Sequence, residues 1–168
     1  CRMGQDENLK SIQFWGNSGV CVGSQTEYGF LPDSGIVLKS IDVGENWIDI
    51  TPDSGEVFRS VWMIDSLTYI SIGVFGIIFK TIDGGETFIK YNSQNQYLID
   101  LFFIDSHGWI VGSYKKILKT TDYGDTWQEI DIECSGKSLF IVDQLTGWMI
   151  SSDNLIYKTV NSGIDWNL

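Results

Sequence analysis

The sequence predicts an all-β fold made of four repeated units, each a small antiparallel sheet of four strands. Three observations support this prediction. An eight-residue phrase, which we call the box, occurs four times and reads hydroxyl, x, Asp or Asn, x, Gly, x, x, aromatic. Its closing aromatics are 41, 39 and 39 residues apart, and a fixed period of this size indicates a repeat architecture. No long segment has the 3.6-residue apolar period of a helix. Boxes 1 to 4 are residues 40–47, 81–88, 120–127 and 159–166.

Each repeat is predicted to contain four short strands in the same order. The first runs are β-rich and lie at residues 11–15, 59–65, 100–105 and 137–143, and the last three of them end at an acid. The second runs follow a turn, at 19–23, 68–73, 108–112 and 147–151, and the third lead into the box, at 35–39, 76–80, 116–119 and 155–158. The fourth leave the box at 47–50, 88–91 and 127–130. Four short strands in about 40 residues are typical of a β-propeller blade. We therefore expect a polar leader over residues 1–10 and blades over about 11–50, 59–91, 99–130 and 138–168.

The box is expected to form the hairpin turn between the third and fourth strands. Its glycine supplies the positive φ that a tight hairpin needs, its Asp or Asn accepts backbone N–H bonds, and its aromatic packs beneath the turn. Calcium binding by Asp42, Asp83 and Asp122 is the functional alternative. Calcium takes six to eight oxygens, whereas each of these boxes offers one such acid and box 4 has Asn161 in its place, so no metal is predicted. The predicted structural residues are Asp42, Gly44, Trp47, Asp83, Gly85, Phe88, Asp122, Gly124, Trp127, Asn161, Gly163 and Trp166.

Charge and cysteine usage restrict the classes of partner and the compartment. The net charge of −11, from 22 acids and 11 bases, disfavours nucleic acid and anionic membrane surfaces. Three cysteines at no metal-ligand spacing do not form a disulfide framework. A chain that starts at Cys1 resembles a mature bacterial lipoprotein whose first cysteine carries the lipid; the alternative is that the sequence simply begins there. The lipid would place the protein outside the cytoplasm, in the periplasm or at the cell surface.

The boxes resemble Asp-box repeats, also called bacterial neuraminidase repeats, over roughly residues 10–166. The stretches GWIVGS at 108–113 and ILKTTDYGDTW at 117–127 are similar to the blades of photosystem II assembly and stability factors. Sialidases of the same repeat class need three arginines, and this chain has only Arg2 and Arg59. The photosystem factors are known for an arginine-rich patch, and only Arg59 lies inside the repeats here. The resemblance implies a propeller that acts as an extracytoplasmic assembly or docking platform without enzymatic activity.

Four repeats leave the closure of the propeller open. Asp-box propellers usually have more than four blades, and only Asn167 and Leu168 follow box 4, where other repeats continue into a fourth strand. Residues 1–10 show no apolar alternation that would supply this strand. The alternatives are a small closed ring, an arc that forms a homodimer to complete a ring, and a fragment of a longer propeller, of which the latter two are favoured.

A ligand site is predicted on the loops opposite the boxes. Meander topology places all boxes at one end of the blades and the inter-blade connectors at the other, with an insertion at 24–34. Exposed aromatics beside acids on loops suit protein or carbohydrate recognition, although a solvated loop packing its own aromatics is the alternative. The ligand-binding candidates are Tyr28, Phe30, Leu31, Asp33, Asp53, Arg59 and Tyr97.

Catalysis and cofactors have little support in the sequence. No catalytic triad, phosphate-binding loop or metal cluster is present. Asp33 and Asp53 could converge as an acid pair, so the alternative function is a glycoside hydrolase or a carbohydrate-binding propeller fragment. We expect no catalytic residue and no cofactor, and a protein partner in preference to a carbohydrate.

Overall fold

The computed structural model describes residues 7–25, 34–53, 55–93 and 97–168. Fifteen β-strands and one short 3₁₀ turn make up the regular structure of these residues, and the predicted all-β, propeller-type fold is confirmed. The chain divides into two compact units, an N-terminal unit of Cys1–Ser93 and a C-terminal unit of Gln94–Leu168. Among the described residues, no helix has the length and hydropathy of a membrane span.

The N-terminal unit contains two four-stranded antiparallel sheets, which we call blades 1 and 2. Their strands follow one another in chain order, as in a meander. Blade 1 consists of β1 (Glu7–Trp15), β2 (Ser18–Gln25), β3 (Ser34–Ser40) and β4 (Ile48–Asp49). Blade 2 consists of β5 (Phe58–Met63), β6 (Tyr69–Gly73), β7 (Ile77–Thr81) and β8 (Ile89–Asn92), with the 3₁₀ turn at Val74–Gly76.

The C-terminal unit repeats this arrangement in blades 3 and 4. Blade 4 has three strands among the described residues, and the segment after box 4 adds only an isolated bridge between Lys158 and Asn167. Blade 3 consists of β9 (Leu98–Ile104), β10 (His107–Gly112), β11 (Lys116–Thr120) and β12 (Gln128–Asp131). Blade 4 consists of β13 (Gly136–Ile141), β14 (Gly147–Ser151) and β15 (Ile156–Thr159).

Each unit has its core between the facing sides of its two blades. Side chains alternate along the strands, so one set of apolar residues from each blade meets the neighbouring blade. In the N-terminal unit this core joins Val20, Val22 and Val37 of blade 1 to a set from blade 2 that includes Val61, Met63 and Phe79. In the C-terminal unit it joins Trp109, Val111 and Ile117 of blade 3 to Leu139, Ile141 and Met149 of blade 4.

The first strand starts earlier than the sequence analysis predicted. Strand β1 begins at Glu7, so residues 7–10 belong to blade 1 and the predicted leader of 1–10 is too long. Glu7, Asn8 and Leu9 pair with Gln25, Ser24 and Gly23. Backbone pairing to a neighbouring strand requires no apolar alternation, which explains why the composition of this segment concealed the strand.

A bulge interrupts the first strand of every blade at the same place. One residue in each is skipped in the pairing with the second strand: Lys10, Arg59, Ile99 and Lys137. In blades 2 and 3, the carbonyl of the residue just before the first strand comes close to the second strand. A Cβ at Gly73 would lie 2.0 Å from the Val57 oxygen, and one at Gly112 would lie 2.0 Å from the Tyr97 oxygen. The glycine that ends these second strands is therefore required by a close backbone approach.

Candidate functional site

The box hydroxyl forms the centre of each hairpin. The Ser40 hydroxyl donates to Asp42 Oδ1 at 2.8 Å and accepts the backbone N–H groups of Asp42 and Gly44 at 3.3 and 2.9 Å. Thr81, Thr120 and Thr159 make the same three bonds in boxes 2, 3 and 4. Because these hydroxyls are almost fully buried, they supply partners to amide groups that the hairpin would otherwise leave unpaired.

In boxes 1 to 3, the Asp bonds to the residue four positions further on, which the sequence analysis did not single out. Asp42 Oδ1 accepts the backbone N–H of Asn46 at 2.9 Å, and Oδ2 accepts its side-chain amide at 2.7 Å. In box 3, Asp122 accepts the backbone N–H and the hydroxyl of Thr126 at 2.9 and 2.6 Å. Thr87 makes both bonds in box 2. All four boxes carry a hydrogen-bonding residue at this position, so a comparison of the four boxes would have identified this partner from the sequence.

Box 4 keeps this pair with the two chemical groups exchanged. Asn161 replaces the box acid, and its side-chain amide donates to Asp165 Oδ2 at 2.8 Å, while its Oδ1 accepts the Asp165 backbone N–H at 3.0 Å. In box 1 the carboxylate is on Asp42 and the amide on Asn46. Each pair therefore holds one carboxylate and one amide, and the substitution of Asn for the box acid is compensated within the box.

We expect Asn161→Asp to destabilise the chain and a second substitution, Asp165→Asn, to restore it. The single variant places two carboxylates against each other and loses a donor, which should lower the free energy of unfolding by about 1 kcal/mol. The double variant recreates the arrangement of box 1. Urea denaturation of both variants and of Asp165→Asn alone measures the coupling, and equal losses in the single and double variants would contradict it.

The hydrogen bonds of the boxes stabilise the ionised form of their acids. The Thr120 hydroxyl and the Thr126 side chain lower the pKa of Asp122 to about 2. The Thr81 and Thr87 hydroxyls hold the pKa of Asp83 well below its usual range, and the Asn46 backbone N–H and side chain lower the pKa of Asp42. A group whose pKa is lower in the folded than in the unfolded state stabilises the fold above its unfolded pKa, and this contribution is lost as the pH falls.

Acid should therefore destabilise the protein from about pH 4 downward to pH 2, since the unfolded pKa of Asp lies near 3.9. Asp83→Asn is the matched control, because Asn161 shows that the amide fits the same position. This variant should lose stability less steeply over the same pH range. Urea midpoints measured from pH 6 to pH 2 test the expectation, and parallel curves for the two proteins would contradict it.

These geometries favour the structural role of the boxes over calcium binding. The carboxylate oxygens of Asp42, Asp83 and Asp122 already accept hydroxyl, amide or backbone N–H donors of their own hairpin. Within the described ranges, no three His, Cys, Asp or Glu side chains are grouped so as to hold a metal ion. Cys21 and Cys134 are free thiols, and their burial raises the pKa of both.

Each unit also joins its two blades through one box carbonyl, a feature that the sequence analysis missed. In the N-terminal unit, the Lys39 ammonium of blade 1 donates to the Gly84 carbonyl of box 2 at 2.8 Å. In the C-terminal unit, the Trp109 indole N–H of blade 3 donates to the Ser162 carbonyl of box 4 at 2.9 Å. Val20 and Lys39 are paired residues of blade 1, as Trp109 and Lys119 are of blade 3. The residue that donates to the box carbonyl is therefore on the third strand of the blade in the N-terminal unit and on the second strand in the C-terminal unit, at positions that are cross-strand partners.

A groove of about 820 Å³ lies in the N-terminal unit where the end of blade 1 faces box 2. Its wall is largely apolar and includes Ile41, Ile48, Ile50, Pro52, Phe79 and Phe88. Its polar residues include Lys39, Asp53, Glu86 and Lys90. Lys90 is paired with Glu56 at 2.7 Å and lies over the Phe79 ring, so its charge is held at the groove wall. An open, mostly apolar groove with charges of both signs suits an extended peptide segment.

The matching position in the C-terminal unit has a different character. A smaller cavity of about 330 Å³ lies there, between the end of blade 3 and box 4. Its lining includes the acids Asp131, Glu133 and Asp165 beside Cys134, Tyr157 and Trp166. We call the groove of the N-terminal unit the box-2 groove. It is larger and more apolar than the cavity of the C-terminal unit, and it is therefore the stronger candidate for a binding site.

The predicted ligand-binding residues are distributed over several places. Asp53 lies in the box-2 groove, and Arg59 is the exposed residue at the bulge of β5. Tyr97, 40% exposed, precedes β9 in the C-terminal unit and is tied to Ser113 by two hydrogen bonds. Tyr28, Phe30, Leu31 and Asp33 lie outside the described residues, as does Cys1. The expected separation of boxes and connectors is wrong at the groove, because β4 is only two residues long and the connector after it lies close to box 2.

The model of a family described as Photosynthesis system II assembly factor YCF48 matches residues 57–168. The Photosystem II assembly lipoprotein Ycf48 of Prochlorococcus marinus is 42% identical over 43 residues, which are 25% of this chain and 13% of that protein.

Two solved structures show related folds. The structure of YCF48 bound to D1 peptide is 26% identical with a TM-score of 0.61, covering 67% of this chain and 39% of that one. The GH74 enzyme of Niastella koreensis has a TM-score of 0.70 at 17% identity, covering 95% of this chain and 29% of that one, and at this identity the likeness concerns the fold alone. The chain thus spans well under half the length of each of these relatives.

Proposed function

Because the chain belongs to the Photosynthesis system II assembly factor YCF48 family, we propose that it is a non-enzymatic platform that binds a segment of a partner protein during assembly. The observation that carries this proposal is the family match over residues 57–168, supported by the related structure described as bound to D1 peptide. We propose the box-2 groove as the binding surface, since its apolar wall can take the side chains of an extended segment.

We also propose that the protein acts outside the cytoplasm. The Prochlorococcus relative is described as a lipoprotein, and Cys1 is the residue of this chain that could carry a lipid. A lipid on Cys1 would hold the platform beside a membrane, close to membrane-bound partners. Mass spectrometry of the protein isolated from its source tests this, and an unmodified Cys1 would contradict it.

The binding proposal can be tested with the D1 peptide as the probe. Calorimetric titration should show binding of this peptide and not of a scrambled version. Ile48→Ser should weaken binding about tenfold or more, equivalent to about 1.4 kcal/mol, because Ile48 lies in the groove wall. Ile82→Ser is the matched control: the two side chains are 60% and 61% exposed in the same unit, and Ile82 is not part of the groove. Equal losses of peptide affinity in the two variants would contradict the box-2 groove as the binding surface.

A glycoside hydrolase or carbohydrate-binding fragment is the alternative function. It has the fold likeness to the GH74 enzyme in its favour, and that likeness carries no information on activity. Hydrolysis of a β-glucan by the purified chain that is lost in Asp33→Asn would overturn the non-enzymatic proposal.

A further inference from the structure

Blade 2 differs from the other three blades near the start of its second strand. The residue that pairs with the box hydroxyl residue is a glycine in blades 1, 3 and 4, namely Gly19, Gly108 and Gly147. In blade 2 this residue is Tyr69, which pairs with Thr81. The partner on the first strand changes as well, and in blades 1 to 4 it is Phe14, Met63, Phe103 and Ile141.

This exchange keeps an aromatic ring in the same place. In blade 1, a Cβ at Gly19 would lie 2.5 Å from the ring of Phe14, and this ring meets Trp47 of the box edge-on, with centroids 5.9 Å apart. Blade 3 has the same arrangement. In blade 2, Tyr69 meets the box aromatic Phe88 edge-on at 6.1 Å. The ring of Tyr69 therefore fills the position of a phenylalanine, and its hydroxyl is an addition that the repeat does not require.

The added hydroxyl is buried, unpaired and adjacent to the box-2 groove. Tyr69 is 1% exposed, and its Oη has no hydrogen-bond partner among the described residues. A buried hydroxyl without a partner destabilises the fold, and folded proteins rarely keep one without a role. A Cβ at Gly85 would clash both with this oxygen and with Cδ1 of Ile50. Because Gly85 and Ile50 line the groove, the hydroxyl lies directly behind the groove wall.

The surroundings of this hydroxyl suit a donor to a neutral acceptor. Burial and the nearby Asp83 carboxylate raise the pKa of Tyr69 well above its usual range, so the group stays protonated and can donate. The negative charge of Asp83 also disfavours an anionic acceptor at the same place. A carbonyl oxygen meets both conditions, and an extended segment presents one at every residue, whatever its side chains.

The side chain of Ile50 separates the hydroxyl from the open space of the groove. Ile50 is partly buried and packs against the core of the N-terminal unit, as Phe88 does. A rotation about its χ2 angle would move Cδ1 without moving the backbone. Rotamer changes of this kind are common at interfaces when a partner binds, so a ligand in the groove can reach the hydroxyl.

We propose that the Tyr69 hydroxyl is a ligand-binding group of the box-2 groove, which donates a hydrogen bond to a main-chain carbonyl of the bound segment when Ile50 turns aside. This inference rests on the proposed function, because it names one contact of the segment that occupies the groove. The hydroxyl that is unpaired in the free protein is paired in the complex, so this contact favours binding at the expense of the stability of the free protein.

The test is Tyr69→Phe, for which stability and binding should change independently. Phenylalanine keeps the ring that blades 1 and 3 use and removes the unpaired oxygen, so the urea midpoint should be unchanged or higher. The affinity for the D1 peptide, measured by calorimetric titration, should fall about tenfold, since a carbonyl in the groove loses its donor. Tyr91→Phe is the matched control, because Tyr91 follows the groove residue Lys90 on β8 without lining the groove. This control should bind the peptide as the unmodified protein does.

The groove variant Ile48→Ser separates a failure of this inference from a failure of the proposed function. Weaker binding in Ile48→Ser with unchanged affinity in Tyr69→Phe would overturn the hydroxyl contact alone. Unchanged affinity in Ile48→Ser would overturn the groove as the binding surface, and the hydroxyl contact with it. A lower urea midpoint in Tyr69→Phe would also overturn the inference, because the hydroxyl would then stabilise the free protein.

A set of D1 peptides with single alanine substitutions tests the main-chain acceptor. The tenfold difference in affinity between the unmodified protein and Tyr69→Phe should persist for every peptide of the set, because an alanine substitution leaves each main-chain carbonyl in place. A difference that disappears for one peptide would overturn the main-chain assignment, since the acceptor would then be the side chain that was removed.

Discussion

Replacing Trp109 with alanine is expected to lower the free energy of unfolding by about 3–5 kcal/mol, the usual cost of deleting a fully buried large aromatic. Trp109 is 1% exposed and lies in the core of the C-terminal unit, among Val111, Ile117 and Met149. Its ring also stacks on His107, with centroids 6.3 Å apart. The substitution removes these contacts together with the indole bond to box 4, so the core and the blade junction are weakened at once.

Two further substitutions separate the hydrogen bond from the packing. Trp109→Phe keeps an aromatic ring but leaves the Ser162 carbonyl without its indole donor, which should cost about 1–3 kcal/mol. Trp148→Phe makes the same change at the matching position of the next repeat. Trp148 is half-buried, and the Lys158 Nζ lies 5.3 Å from the centroid of its ring. This control substitution should lower the free energy of unfolding by less than about 1 kcal/mol. Urea denaturation measures the free energy of unfolding of all three variants. Similar losses of stability in the two phenylalanine variants would contradict the role of the indole hydrogen bond.

Replacing Thr120 with valine is expected to lower the free energy of unfolding by about 3 kcal/mol, because the hydroxyl of this buried residue makes three hydrogen bonds. It donates to Asp122 Oδ1 at 2.6 Å and accepts the N–H groups of Asp122 and Gly124 at 3.2 and 3.0 Å. Valine has a similar shape, so packing is nearly unchanged. The buried Gly124 N–H then loses its partner, and the box carboxylate loses its hydroxyl donor.

Thr120→Ser is the matched control, since box 1 uses Ser40 at the same position with the same three bonds. We expect it to cost less than about 1 kcal/mol, the loss of one buried methyl group. The valine variant should also lose part of the acid sensitivity assigned to Asp122, because its folded pKa would return toward the unfolded value. A serine variant as unstable as the valine variant would contradict the hydroxyl's role.

The sequence predicts the fold well because the box is a local motif that repeats at a regular spacing. The hydroxyl, the acid and the glycine of one box bond to each other within a few residues, so their spacing alone indicates a hairpin. The glycines have φ values of +81° to +94°, a backbone region that other residues rarely adopt. The partner at Asn46 was equally local and could have been found by comparing the four boxes at one further position.

Contacts between blades could not be predicted in the same way. Lys39 and Trp109 both reach the carbonyl of the next box, but which member of a cross-strand pair does so depends on how two blades pack. The box-2 groove combines a connector of blade 1 with the hairpin of blade 2, and its position depends on the shortness of β4. The start of β1 at Glu7 was also hidden, since pairing through a bulge leaves no apolar pattern.

Hydrogen exchange of the chain with and without the D1 peptide, followed by mass spectrometry, tests the central claim most directly. If the box-2 groove binds the peptide, backbone amides at 48–51, 53 and 84–88 should exchange more slowly in its presence. The segments that line the smaller cavity of the C-terminal unit, 131–134 and 164–167, should exchange at unchanged rates. Protection confined to other segments, or none at peptide concentrations that saturate binding, would contradict the groove as the platform's binding surface.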